Sequence, residues 1–295
     1  MQASCLHLDS RDGCPHIIKS PFLNHGSTQF SIAGDRPNTY PQQSAAHRLT
    51  SCYQRPPARY SDHAALRNAM TPYLDAIQHL YSAQADPEAA VPMKKYMRNQ
   101  FEFLGIKTPA TKALFKQLVA NHGLPPLDQL DAIVRTLWSW PEREYQYLAL
   151  NFLDKYQKQL TPDWVPLLEY LVTTKSWWDT VDAIANHNVG KLLQKYPEIR
   201  DRTLTPWRQS DHIWLRRTTI LFQLGYKAET DVPLLWAIVA ENQASDEFFI
   251  QKAIGWALRE YSKTDADAVK ALVAATQLAP LSRREALKWL NRKAQ

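Results

Sequence analysis

Three short segments hold residues that could do chemistry together. In KSWWDTVDAIA (175–185), Trp178 and Asp182 stand four residues apart; DHIWLRRTTILFQL (211–224) holds Arg217, and DEFFIQKAIGWALREY (246–261) holds Trp256. On a helix, residues i and i+4 project together, so Trp178 sets an indole beside the Asp182 carboxylate. Trp177, Val181 and Ile184 follow the core row of the same helix, with Trp178 and Asp182 about 100° away from it. Ser176 and Asp179 fit an S-x-x-D capping box, which gives Asp179 a structural role. Asp182 lies past the first turn and cannot cap, so it is either functional or a surface ion-pair partner. In the second segment Ile213, Arg217, Ile220 and Leu224 form an apolar row, while His212, Arg216, Thr219 and Gln223 form a polar one. A guanidinium in an apolar row needs an anionic partner or must reach a groove, unless its stem snorkels. In the third, Ile250, Ile254, Ala257 and Tyr261 make the core row, and Trp256 borders it. Gly255 costs about 1 kcal/mol against alanine in a helix interior, which suits either close helix packing or a ligand approaching the backbone. Two indoles, one carboxylate and one guanidinium make a coherent site, since aromatic faces favour cations and a guanidinium favours anions.

The elements that position these residues read as helices throughout. From Thr71 onward apolar residues recur at three and four, and no run alternates long enough to form a strand. Thr108-Pro109 opens a helix that Gly123 closes; Pro141 and Thr161-Pro162 open others. Trp178, Trp214 and Phe249 recur 36 and 35 residues apart in the sequence, a two-helix repeat period close to the roughly 40 residues of a HEAT unit. The expected fold is an all-α, HEAT-like helical-repeat solenoid whose concave groove gathers corresponding residues of successive repeats. Cations recur near helix ends, among them Lys94, Lys107, Lys175, Lys252, Arg259 and Lys263. Such a stripe suits a phosphate backbone, and the helix start at Thr108 adds amide donors.

Residues 1–70 differ in character. They hold six of the 19 prolines, five of the nine histidines and none of the ten tryptophans, without helical or strand period. That composition cannot bury enough apolar surface to offset chain entropy, so a disordered tail is expected, with the folded domain over 71–295. Thr71-Pro72 supplies an N-cap and first-turn pair directly after Met70, which suggests a misassigned start. The tail carries 7 Lys and Arg against 4 Asp and Glu, the body 28 against 25, so each part holds +3 of the total +6. The body is only mildly basic, and any affinity for nucleic acid rests on where its cations sit.

Composition excludes several classes. With 45% hydrophobic and 22% charged residues the chain is globular, not fibrous. Its longest apolar runs, such as LLEYLV (167–172), fall far below the roughly 18 residues of a membrane span. It contains no G-x-G-x-x-G and no P-loop, so no nucleotide cofactor is expected. The three cysteines fall in the first 52 residues without a C-x-x-C, and the first residues lack a secretory signal, which together point to the cytoplasm. No H-E-x-x-H is present, and His187 and His212 lack a partnered ligand pattern, so no metal is expected.

The stretches MKKYMRNQFEFLGIKTP (93–109), PEREYQYLAL (141–150), KSWWDTVD (175–182), WLRRTTILFQL (214–224), FFIQKAIGWALREYSKT (248–264) and LAPLSRREALK (278–288) resemble, in order, the AlkD-like DNA alkylation repair glycosylases. That resemblance implies a monofunctional DNA glycosylase that releases N3-alkyladenine and N7-alkylguanine in base excision repair, without flipping the base and without a cofactor. It puts the catalytic carboxylate on Asp182, the cleft tryptophans on Trp178 and Trp256, and the backbone-gripping arginine on Arg217. Tyr96 matches a further cleft aromatic, and Thr108 and Arg259 match phosphate contacts; Lys175 and Lys252 join the DNA-binding stripe. The implied partner of this monomer is double-stranded DNA containing alkylated bases. Residues 1–70 match nothing in the family. The alternative readings are a non-catalytic nucleic-acid binder and a protein scaffold on the same helical repeats. A binder gains nothing from a carboxylate facing phosphates, and a scaffold gains nothing from the basic stripe.

Overall fold

The computed structural model describes residues 63–293, with side chains described for 70–292. Among these residues the secondary structure is helical, and the one β-type pairing is an isolated bridge between Glu102 and Glu142. Three helices, α1 (His63–Ser82), α2 (Pro87–Tyr96) and α3 (Thr108–His122), precede a series of helix pairs. The pairs are α4 (Leu127–Ser139) with α5 (Arg143–Tyr156), α6 (Val165–Thr173) with α7 (Trp178–Ala183), and α9 (Arg200–Arg208) with α10 (Ile213–Leu221). Two more follow, α11 (Val232–Asn242) with α12 (Phe248–Tyr261), and α13 (Ala266–Ala275) with α14 (Pro280–Lys293). The α7 helix continues through a π-helical turn (Ile184–Val189) into α8 (Gly190–Lys195). The second members of the pairs lie side by side in the order α5, α7, α10, α12, α14. The fold is thus an all-α helical repeat.

Local sequence explains the helix ends. Asp86, Asp231 and Asp265 each accept a hydrogen bond from a first-turn amide of α2, α11 and α13. Prolines fill the first turns of α2, α3, α6 and α11, where a missing amide costs nothing. Gly123 closes α3 with φ 73°, a conformation that glycine adopts without strain. Successive repeats are then tied by side chains one period apart. Trp138 Nε1 donates to the Thr174 carbonyl at 2.8 Å, Trp207 Nε1 to Glu169 at 3.1 Å and Lys195 Nζ to the Lys158 carbonyl at 2.8 Å.

Two sequence expectations are corrected. Thr71-Pro72 does not open a helix: α1 starts at His63 and runs through both, because Met70, Ile77 and Tyr81 share a buried face that continues across them. The boundary at residue 70 therefore falls inside a helix, and the rest of the expected tail lies outside the described residues. In the polar row of this segment, Thr219 of α10 and Gln223 just beyond it are buried. Thr219 bonds back to the Arg216 carbonyl, and Gln223 pairs with both backbone groups of Asp231, which satisfies their polarity. The capping box is absent. Ser176 Oγ donates to the Val172 carbonyl at 2.6 Å, and Asp179 is drawn across to another repeat.

Candidate active site

Two carboxylates on α7 point to different neighbours. Asp179 receives Arg143 of α5 through Nε at 2.9 Å and Nη2 at 2.7 Å, together with the Tyr147 hydroxyl at 2.8 Å. Arg143 completes its own set on the Lys175 carbonyl and the Thr180 hydroxyl, both at 2.9 Å. The side chains of Arg143 and Asp179 are 0% and 2% exposed, so this pair is sealed. Asp182, nearly one turn on, receives Arg217 of α10 through Nε at 2.7 Å and Nη2 at 2.8 Å. Its side chain keeps 13% exposure against 5% for Arg217, so this pair borders solvent. Burial pushes the Asp182 carboxyl above its usual range, and the Arg217 guanidinium opposes that shift without cancelling it.

Arg217 is therefore the arginine in an apolar row that found its anion. Its third donor, Nη1, bonds the Phe249 carbonyl in the first turn of α12, and its guanidinium lies 5.9 Å from the Phe249 ring centre. One side chain thus joins α7, α10 and α12. Beneath it Trp177, Trp214 and Phe249 pack ring to ring, with centroids 4.9–5.8 Å apart. This corrects the repeat alignment, because Trp177 and not Trp178 joins Trp214 and Phe249. The reason is helical phase: Trp177 shares the buried row of Val181 and Ile184, which leaves Trp178 on the rim. There Trp178 meets Tyr96 of α2 edge to face, at 6.1 Å and 76°. Tyr96 is 47% exposed, so the two rings form an accessible aromatic surface within a turn of Asp182.

The remaining expected residues are placed as follows. Trp256 is half-buried on α12, seven residues and so about 10 Å beyond the carbonyl that Arg217 holds. Gly255 beside it is explained by helix packing: a Cβ would fall 2.5 Å from Glu285 Cβ and 2.9 Å from the Ser282 carbonyl of α14. Lys252 and Arg259 both pair with Glu285, at 3.0 Å and 2.6 Å. Burial pulls the Glu285 carboxyl up, but these cations and Lys288 outweigh it and hold it below its usual value. Thr108 is buried in the first turn of α3 with its hydroxyl unpartnered, next to the exposed Lys107. Lys175 departs from the expected stripe. Its backbone is left-handed at φ 49°, and its ammonium turns back onto the Ser139 and Trp140 carbonyls that end α4. Burial and the neighbouring Arg143 lower its pKa, as an inward-turned amine requires.

Arg143, Tyr147 and Glu144 were missed from the sequence. Glu144 is buried and accepts the amides of Leu104, Gly105 and Ile106 at 2.9–3.1 Å, fixing the loop that delivers Thr108. That loop needs Gly105, whose φ is 87° and where a Cβ would lie 2.0 Å from the Asp86 carbonyl. A usable signal existed for Arg143, which precedes Asp179 by 36 residues as Asp182 precedes Arg217 by 35. Among the described residues no group of three His, Cys, Asp or Glu is arranged to hold a metal ion, and no helix is long and apolar enough to cross a membrane.

No curated protein matches the chain. A predicted DNA alkylation repair enzyme from Enterococcus faecalis is similar at 34% identity, with a TM-score of 0.66 over 70% of this chain and 96% of that one. The model of the DNA alkylation repair enzyme family matches residues 77–290, which include every expected site residue. The chain belongs to the DNA alkylation repair enzyme family.

Proposed function

We propose that the protein is a monofunctional DNA glycosylase that hydrolyses the N-glycosidic bond of cationic alkylated purines, N3-alkyladenine and N7-alkylguanine. The observation that carries this reading is the partly open Asp182, a carboxylate held by one bidentate arginine and bordered by the Trp178 and Tyr96 rings. A cationic base is already a good leaving group, so the reaction needs no general acid. As the bond lengthens the sugar becomes oxocarbenium-like, and one nearby carboxylate stabilises it and orients the attacking water. The aromatic faces of Trp178 and Trp256 favour the same positive charge, at about 0.5–2 kcal/mol per contact.

Arg217 takes a different part from the backbone grip that the resemblance implies. Gripping a phosphate would compete with the two hydrogen bonds it gives Asp182, so its role here is to keep that carboxylate charged and aimed. Phosphate binding then rests on Thr108 with Lys107 at the start of α3, and on Lys252 and Arg259, which share one carboxylate and retain net positive charge. The partner is duplex DNA carrying the lesion, bound by a monomer with the base left stacked, and the product is an abasic site. Lys175 is committed to backbone carbonyls, which agrees with a hydrolase that lacks a Schiff-base nucleophile.

The test is release of free base from duplex DNA containing N7-methylguanine by wild type and Asp182→Asn at several salt concentrations. Release by wild type alone supports the reading. If neither protein releases base while both bind DNA with a steep salt slope, the protein is a binder and the enzymatic reading fails. Borohydride trapping of a covalent DNA complex would refute the monofunctional assignment.

A further inference from the structure

The π-helical turn directly after Asp182 has no counterpart in the other helices described, and its position relative to the next repeat gives it a task. Gly190 donates its amide to the Ala185 carbonyl five residues back, so the turn holds one residue more than an α-helix would. Downstream of it the helix is locked. Gly190 packs so closely on the segment after α10 that a Cβ would lie 2.2 Å from the Phe222 carbonyl, and the Tyr226 hydroxyl donates to the Gly190 carbonyl at 2.6 Å. Upstream of it Asp182 must meet Arg217 of the same α10. In an unbroken α-helix residues 182 and 190 lie eight steps of about 100° apart, which turns them about 80° away from each other. With one residue absorbed in the wide turn, seven effective steps bring them within about 20° of a common face. The π turn thus lets one helix seat Gly190 and present Asp182 on the same neighbour.

A widened turn is intrinsically unfavourable and opens its carbonyls to outside donors. The donor that reaches in is Gln157, at the C-terminal end of α5, whose Nε2 bonds the His187 carbonyl at 2.5 Å. We infer that the Ile184–Val189 π turn is the register device of the site and that Gln157 is its positioning residue, setting the direction of the Asp182 carboxylate without touching substrate. The inference rests on the reading of Asp182 as the working carboxylate, but its geometry can be tested apart from activity.

Two readouts separate the questions. The first is the NMR signal and solvent exchange of the Arg217 Nε–H, which reports the bidentate grip on Asp182 with no DNA present. The second is single-turnover release of N7-methylguanine, measured with the dissociation constant for undamaged duplex. Gln157→Met keeps the length and removes the donor. It is expected to speed exchange of the Arg217 Nε–H at least tenfold and slow base release about tenfold, with duplex affinity within twofold. Gln157→Lys, which retains an N–H donor of similar reach, is expected to recover most of both effects. Deleting Asn186, which returns the turn to α-helical register, should abolish the protected Arg217 signal even where Gln157 is intact. An unchanged Arg217 signal in Gln157→Met, with the methyl spectrum of a folded protein, overturns the inference. If wild type releases no base, the proposed function fails, and the Arg217 signal still decides the role of the turn.

Discussion

The two arginine–aspartate pairs of α7 are built from the same groups with nearly the same distances, and they differ in what remains of the carboxylate. Asp179 spends its oxygens on Arg143 and the Tyr147 hydroxyl inside a sealed contact. Asp182 accepts two hydrogen bonds from Arg217 and keeps an edge toward solvent. One pair closes the joint between α5 and α7, and the other holds a charge ready beside two aromatic rings. Burying an ion pair gives little net stability, whereas breaking one side of it is costly. A second, less sealed copy therefore makes sense where charge itself is needed.

The largest expected effect separates the pairs most sharply. Arg143→Ala should lower stability by about 3–5 kcal/mol in urea unfolding, because it strands the Asp179 charge in the interior. The fraction that remains folded should still release base at near wild-type rate; a folded variant with no activity would break the distinction. Asp182→Asn should slow base release by roughly 100- to 1000-fold, the scale of losing one electrostatic contact to a transition state, while duplex affinity changes less than about twofold. The pH profile sharpens the contrast further. The Asp182 carboxyl is raised by burial, so base release should fall about tenfold per unit as pH drops below that raised value, and the fall should begin at a higher pH than for an ordinary carboxylate. Stability runs the other way for this group, since a raised folded pKa favours the protonated protein, and its contribution is lost as pH rises. Smallest is Trp178→Ala, expected to weaken release by about 0.5–2 kcal/mol, roughly 2- to 30-fold, with unfolding little changed. A loss as large as that of Asp182→Asn would mean that the indole, not the carboxylate, dominates.

The helical class and both ends of α3 were legible because proline, glycine and apolar spacing act locally. Asp182 and Arg217 were legible as anomalies, one past the capping turn and one inside an apolar row. Their bond to each other was not, since nothing in either helix states which neighbour it faces. The capping box failed for a related reason. Ser176 and Asp179 satisfy a local rule, but Arg143 lies close enough to outbid a backbone amide with a bidentate ionic contact. Lys175 misled because composition cannot reveal a left-handed backbone that turns an amine inward. The π turn left no mark in apolar spacing, because the face it realigns is set by Gly190 and Phe222 in different repeats.

The side-chain ties between repeats from Trp138 onward connect residues 26–38 positions apart, whichever repeat they join. A chain wired this way has low contact order in its C-terminal half, because no tie there waits for a distant part of the sequence. During synthesis each helix pair finds its anchor in the repeat just made, and the bond between Asp182 and Arg217 can close about one repeat after Asp182 leaves the ribosome. The Asp182 carboxylate can thus be paired well before the last helix exists, and it waits for its partner only while about one further repeat is made.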